Sequence, residues 1–127
     1  MIDTHTHLYL FEDEQTTEES GATASDSFPL IASESGVEAL HRAVAAGVER
    51  LIMPCVDEES MWQLLDMHHR YPEVTYMAKG LHPTSVDAAW RAHLDRILKA
   101  FSSERVVAIG EVGIDLYWSQ EYRKEQI

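Results

Sequence analysis

The sequence predicts an α/β fold built on a parallel sheet, and three observations carry that prediction. Short apolar runs of strand character alternate along the chain with stretches of helical periodicity. The residues best suited to chemistry fall at or just beyond the ends of those runs, where parallel sheets place their functional groups. After the first run comes a His-x-His pair rather than a glycine-rich phosphate loop, which favours a closed (β/α)8 barrel of the TIM type over an open doubly wound sheet. About four βα units account for the 127 residues, half of such a barrel, so residues 1–127 are expected to form the N-terminal half of one domain.

Taken in order, Ile2 to Leu8 reads as the first strand. Phe11 to Ser27 follows with Glu12, Asp13, Glu14, Glu18, Glu19 and Asp26 but no Lys or Arg, and reads as an acidic loop that occupies about 11–33. Ser35-Gly36-Val37-Glu38 has the form of a capping box and opens a helix with Val37, Leu40, Val44 and Val48 on one side. Gly47 can take the left-handed conformation that closes it. Arg50 to Val56 is an apolar run of a doubly buried strand, with Pro54 marking where its ladder ends. Asp57 is a plausible cap for a second helix carrying Met61, Leu64, Leu65 and His68, stopped at Tyr71-Pro72. Val74 to Ala78 is the third strand and leads into the turn Lys79-Gly80-Leu81-His82-Pro83-Thr84. The third helix carries Trp90, Leu94, Ile97, Leu98 and Phe101 on one stripe. Trp90, Trp62 and the helical methionines read as packing against the sheet. Arg105 to Glu111 is the fourth strand, and the chain from Val112 onward leads into the opening turns of a fourth helix.

Composition narrows the function classes. Ten Lys plus Arg against 22 Asp plus Glu give a formal net charge of −12, which opposes indiscriminate coating of nucleic acid. A nuclease is still compatible, because divalent cations dominate the field of their own site. The lone Cys55 rules out an intramolecular disulfide and reads as a small buried hydrophobe. No apolar run is long enough to span a membrane, and the N-terminus lacks the basic-then-apolar order of a signal peptide, so a cytoplasmic protein without membrane contact is expected.

His5 and His7 are the leading ligand candidates. On a strand, side chains two residues apart share a face, so two imidazoles can close on one ion; the alternative is a pair of packed or solvated histidines. Glu111 follows apolar and small residues at the end of the fourth strand, beside Gly110, which is expected to let backbone approach closely. A glutamate there calls for a partner, and metal ligation or a salt bridge at the rim would each supply one. His82 could orient a phosphate or simply stiffen the turn beside Pro83. His41, His68, His69 and His93 fall inside helices and read as surface or packing residues.

Met1-Ile2-Asp3-Thr4-His5-Thr6-His7, then Gly80-Leu81-His82-Pro83, then Ile109-Gly110-Glu111-Val112-Gly113-Ile114-Asp115-Leu116-Tyr117-Trp118, resemble in order and spacing the TatD family of metal-dependent deoxyribonucleases. The resemblance implies an amidohydrolase-like (β/α)8 barrel that cleaves DNA phosphodiester bonds with two divalent ions, for which Mg, Mn and Zn are all candidates. His5 and His7 would then hold the first metal and Glu111, also the catalytic residue, would bridge it to the second. His82 would touch substrate or stand behind the ligands, and Asp115 would organise the loop after the fourth strand. Thr6 stands where cysteine is frequent in the family, the acidic loop is unusually long, and Ile114 and Leu116 replace commoner residues. The 127 residues also end before the two further histidines and the aspartate of the family's site. Two other readings therefore stand beside a DNA-cleaving enzyme: an incompetent half-barrel that only binds metal or self-associates, and another amidohydrolase acting on an amide or lactone.

Overall fold

The computed structural model describes residues 1–13 and 31–127. Most of the expected acidic loop thus lies outside the described residues. Four parallel strands, β1 (Ile2–Asp3), β2 (Arg50–Pro54), β3 (Thr75–Lys79) and β4 (Val106–Ile109), pair in the order β1-β2-β3-β4. An order that follows the sequence without reversal is the order of a barrel wall; a doubly wound sheet reverses at its switch point. Leu51 pairs with Thr75 and Pro54 with Ala78 between β2 and β3, and the β3–β4 ladder slips between Met77 and Ala78.

Helices α1 (Glu34–Ala45), α2 (Met61–Arg70) and α3 (Trp90–Ala100) make the crossovers. Their apolar stripes meet the sheet in one core: Leu40, Leu64, Met67 and Ile97 pack with Leu51, Met53, Cys55 and Met77, all at most 1% exposed. Ile52 and Tyr76, which alternate with those strand residues, are only partly buried. The helical layer therefore covers one face of the sheet. The edge strands leave Ile2 and Ile109 at 52% and 76% exposure.

Several local expectations change. The first strand is two residues long rather than seven, because the Asp3 carboxylate accepts the His5 amide at 3.1 Å and bends the chain out of the ladder. Leu8–Leu10 then coils into a single 3-10 turn that buries Tyr9. The cap of α1 is Ser33, whose hydroxyl oxygen accepts the Gly36 amide, while the Ser35 amide donates to Asp13 Oδ1 at 2.8 Å. Gly47 closes the helix with φ +93, as expected. Asp57 accepts from both the amide and the hydroxyl of Ser60, the residue that precedes α2. Trp62 is 45% exposed and Leu98 41%, so neither belongs to the core stripe. After β4 the expected helix reduces to one turn, in which the Glu125 and Gln126 amides both donate to the Tyr122 carbonyl at 3.1 Å.

Candidate metal centre

The carboxyl ends of β1, β3 and β4 bring four side chains together. His5 and His7 follow β1, and the Thr6 amide between them still donates to the Ile52 carbonyl at 3.1 Å, so the pair hangs from the sheet although it has left the ladder. Glu111 follows β4, where its amide donates to the Cys55 carbonyl at 3.0 Å and the Gly110 amide to the Lys79 carbonyl at 2.9 Å. His82 follows β3, anchored by its amide on the Val56 carbonyl at 2.7 Å. The close approach in this region belongs to Gly80 rather than Gly110. A Cβ on Gly80 would stand 2.7 Å from the Glu111 carbonyl oxygen, whereas one on Gly110 would meet nothing nearer than Ala78 Cβ at 3.7 Å.

His5 Nε2 and His7 Nε2 lie 3.0 Å apart, and each is 3.4 Å from Glu111 Oε2. The other carboxylate oxygen, Oε1, faces His82 Nε2 at 3.3 Å. Among the described residues, His5, His7 and Glu111 form a group whose donor atoms all fall within 4.8 Å of one another. For a metal–donor distance of about 2.1 Å, such spacings correspond to angles of about 90° between the nitrogens and about 110° from nitrogen to oxygen, both ordinary for a divalent ion. Burial first, and then His5, hold the His7 imidazole below its usual pKa, which favours the neutral form that ligates. The donor set therefore fits a metal ion.

The remaining candidates sit elsewhere. Asp115 Oδ1 accepts the Tyr117 amide at 2.9 Å and its own amide donates to Gln126 Oε1 at 2.9 Å, an arrangement that orders the loop after β4. Cys55 is fully buried, and its thiol is pushed up to about 12 chiefly by burial, so it is an inert packing group. His68 packs in the core, His69 faces Glu104 and His93 faces Glu58. Tyr9 is the residue that sequence reasoning passed over. It is wholly buried, its hydroxyl donates to the Pro54 carbonyl at 2.6 Å, and His7 Nδ1 lies 3.2 Å from the same oxygen. Its only signal in the sequence is a large polar aromatic two residues beyond a ligand candidate. No helix among the described residues is long and apolar enough to cross a membrane.

The chain matches the family model described as TatD related DNase over residues 2–127. It is similar to the metal-dependent hydrolase TatD of Mycobacterium tuberculosis, with 35% identity over 121 residues that make up 93% of this chain and 38% of that relative. It is also similar to the metal-dependent hydrolase YjjV of Escherichia coli, 34% identical over 61% of this chain and 30% of the relative, and to YabD of Bacillus subtilis, 34% identical over 65% and 32%. The chain thus spans about a third of the length of these curated relatives. With its strands in barrel order and its histidines and glutamate at their carboxyl ends, the chain belongs to the TatD family of metal-dependent hydrolases, whose fold is the TIM barrel.

Proposed function

We propose that residues 1–127 supply the N-terminal half of a (β/α)8 barrel that hydrolyses DNA phosphodiester bonds at a binuclear divalent-metal site. The observation that carries this reading is the convergence of His5 Nε2, His7 Nε2 and Glu111 Oε2 from opposite edges of the sheet. When bound, divalent ions lower the pKa of a water, clamp the phosphodiester and offset the charge that grows during in-line displacement. His5 and His7 would hold the first ion through their Nε2 atoms, and Glu111 would supply Oε2 to it while Oε1 faces His82. His82, with Nε2 at 3.3 Å from Oε1, would steady that carboxylate or meet the substrate.

Support for DNA as substrate comes from the description of the family model that matches the whole barrel segment. The net charge of −12 opposes a polyanion at long range, so approach depends on ions in the site and on salt. The test is hydrolysis of duplex and single-stranded DNA by a protein carrying this segment within a complete barrel, titrated with Mg2+, Mn2+ and Zn2+. His5→Ala or Glu111→Gln is expected to cut the metal-dependent rate by several orders of magnitude with little change in folding. Wild-type rates in those variants would remove the shared centre, and cleavage of amides or lactones with DNA untouched would place the chemistry in another branch of the amidohydrolases.

A second reading rests on the exposed Ile2, Val107 and Ile109 on the edge strands. A chain that stands alone with two open edges is expected to associate with another copy, holding metal without completing the site.

A further inference from the structure

A phenolic hydroxyl has one proton, and at Tyr9 its destination is fixed. The oxygen lies 2.6 Å from the carbonyl of Pro54, an atom that can only accept, so the hydroxyl donates there. His7 Nδ1 approaches the same oxygen at 3.2 Å. Because the hydroxyl hydrogen is already engaged, the ring nitrogen has to bring its own. His7 therefore carries its proton on Nδ1 and keeps a lone pair on Nε2, the atom that faces His5 and Glu111.

His82 shows the opposite arrangement on the other side of the same carboxylate. Its Nδ1 accepts the Thr84 amide at 3.1 Å and lies 2.6 Å from the Thr84 hydroxyl; the hydroxyl can donate or accept, but an amide hydrogen can only be donated, so both contacts are met when Nδ1 is the acceptor. The His82 proton is thus on Nε2, where it points at Glu111 Oε1 across 3.3 Å. One imidazole offers the cluster a lone pair and the other offers it an N–H.

We propose that Tyr9 is a positioning residue that locks His7 in the Nδ1–H tautomer and so presents the Nε2 lone pair to the His5–Glu111 cluster. Its use in metal binding rests on the reading of His5, His7 and Glu111 as ligands; the tautomer lock itself does not. The fold around Tyr9 is built to hold it. β2 ends at Pro54, and there the hydroxyl takes the carbonyl; Thr6, beyond the end of β1, still bonds to Ile52 of β2 through its backbone. α1 presses on the 3-10 turn through Gly36, where a Cβ would come within 2.4 Å of the Leu8 carbonyl oxygen. A buried, clamped hydroxyl is a rigid acceptor. Partners of this kind behind a metal-bound imidazole contribute about 10- to 100-fold in metal affinity.

The experiment uses the whole chain with 15N-labelled histidine, free of metal. Long-range proton–nitrogen correlations are expected to show His7 protonated on Nδ1 and His82 on Nε2. Tyr9→Phe keeps the ring and removes the acceptor; His7 should lose its single-tautomer signature while His82 keeps its own, and Zn2+ affinity by calorimetry should fall about 10- to 100-fold. A wild-type His7 protonated on Nε2 overturns the inference even where the variant fails to fold. So does a folded Tyr9→Phe protein with the wild-type tautomer. If wild type shows the expected tautomers yet takes up no Zn2+, the ligand reading fails while the role of Tyr9 in setting the tautomer stands.

Discussion

Gly80 and Gly110 are neighbours at the ends of β3 and β4, and alanine should affect them in opposite ways. A Cβ at Gly80 would lie 2.7 Å from the Glu111 carbonyl oxygen, 2.8 Å from the Gly110 carbonyl carbon and 2.9 Å from Val112 Cγ1. Two of these are backbone atoms and cannot swing aside. The first contact is about 0.7 Å short of the 3.4 Å at which ordinary contact begins, so the segment bearing Glu111 has to move by roughly that much. Overpacking of this sort costs about 1 to 3 kcal/mol. The displacement also exceeds the ~0.5 Å within which a binding constellation has to be held. Gly80→Ala should therefore lower stability in urea and weaken Zn2+ binding together. In Gly110→Ala the new methyl meets only Ala78 Cβ at 3.7 Å and Pro54 Cβ at 3.9 Å, and the φ there is not positive, so both properties should stay close to wild type. Equal effects of the two substitutions, or a larger loss at Gly110, would refute the argument that Gly80 sets the position of Glu111.

The other expectations concern the cap, the core histidine and the sheet edges. Ser33→Ala should cost about 1 kcal/mol in denaturant unfolding and Ser35→Ala much less, since Ser33 caps α1; the reverse order would restore the capping box read from the sequence. His68 is held below its usual pKa mainly by burial, so the unfolded chain binds its proton more readily than the folded one. That contribution to stability is complete above about pH 6.5 and is lost as pH falls toward the lower folded value. His7 acts in the same direction, so His68→Gln should flatten the acid side of the stability profile only in part. An unchanged profile would show that His68 is not the buried neutral group described here. Finally, Ile109→Lys, at a side chain 76% exposed on the β4 edge, should shift the chain toward monomer in sedimentation velocity. A monomeric wild type would remove that edge as a contact.

What was legible in the sequence depended on whether the signal was local. Strand and helix alternation, the stop at Tyr71-Pro72 and the closing glycine at 47 all follow from short-range sterics and periodicity, and they stand. His5, His7 and Glu111 were legible as ligand candidates because polar residues at strand ends are conspicuous after apolar runs. The route by which the histidines converge was not. Strand alternation was the expected cause, but Asp3 breaks the strand and a turn built around Tyr9 aims His7 instead. The cap differs for a similar reason. The spacing to Glu38 points to Ser35, but in the fold Ser33 Oγ accepts the Gly36 amide and Asp13, far from it in sequence, takes the Ser35 amide. The tautomers of His7 and His82 depend on Pro54 and Thr84 backbone groups, and a carbonyl or amide carries no side-chain identity to read.

In a flat sheet, four strands at the usual spacing would hold β1 and β4 about 14 Å apart, with side chains standing perpendicular to the plane. Here the groups that follow these two edge strands approach to 3.4 Å. The distance from His5 to Glu111 is therefore a gauge of how far the wall has curled. Anything that flattens the sheet, from a slip in the β3–β4 ladder to a lost helix contact far from the rim, opens that gap before it disturbs either residue directly. On the proposed reading of the rim as a metal site, ion affinity would then report on the bend of the whole wall, including the irregularity at Met77 and Ala78, which are not among the proposed ligands.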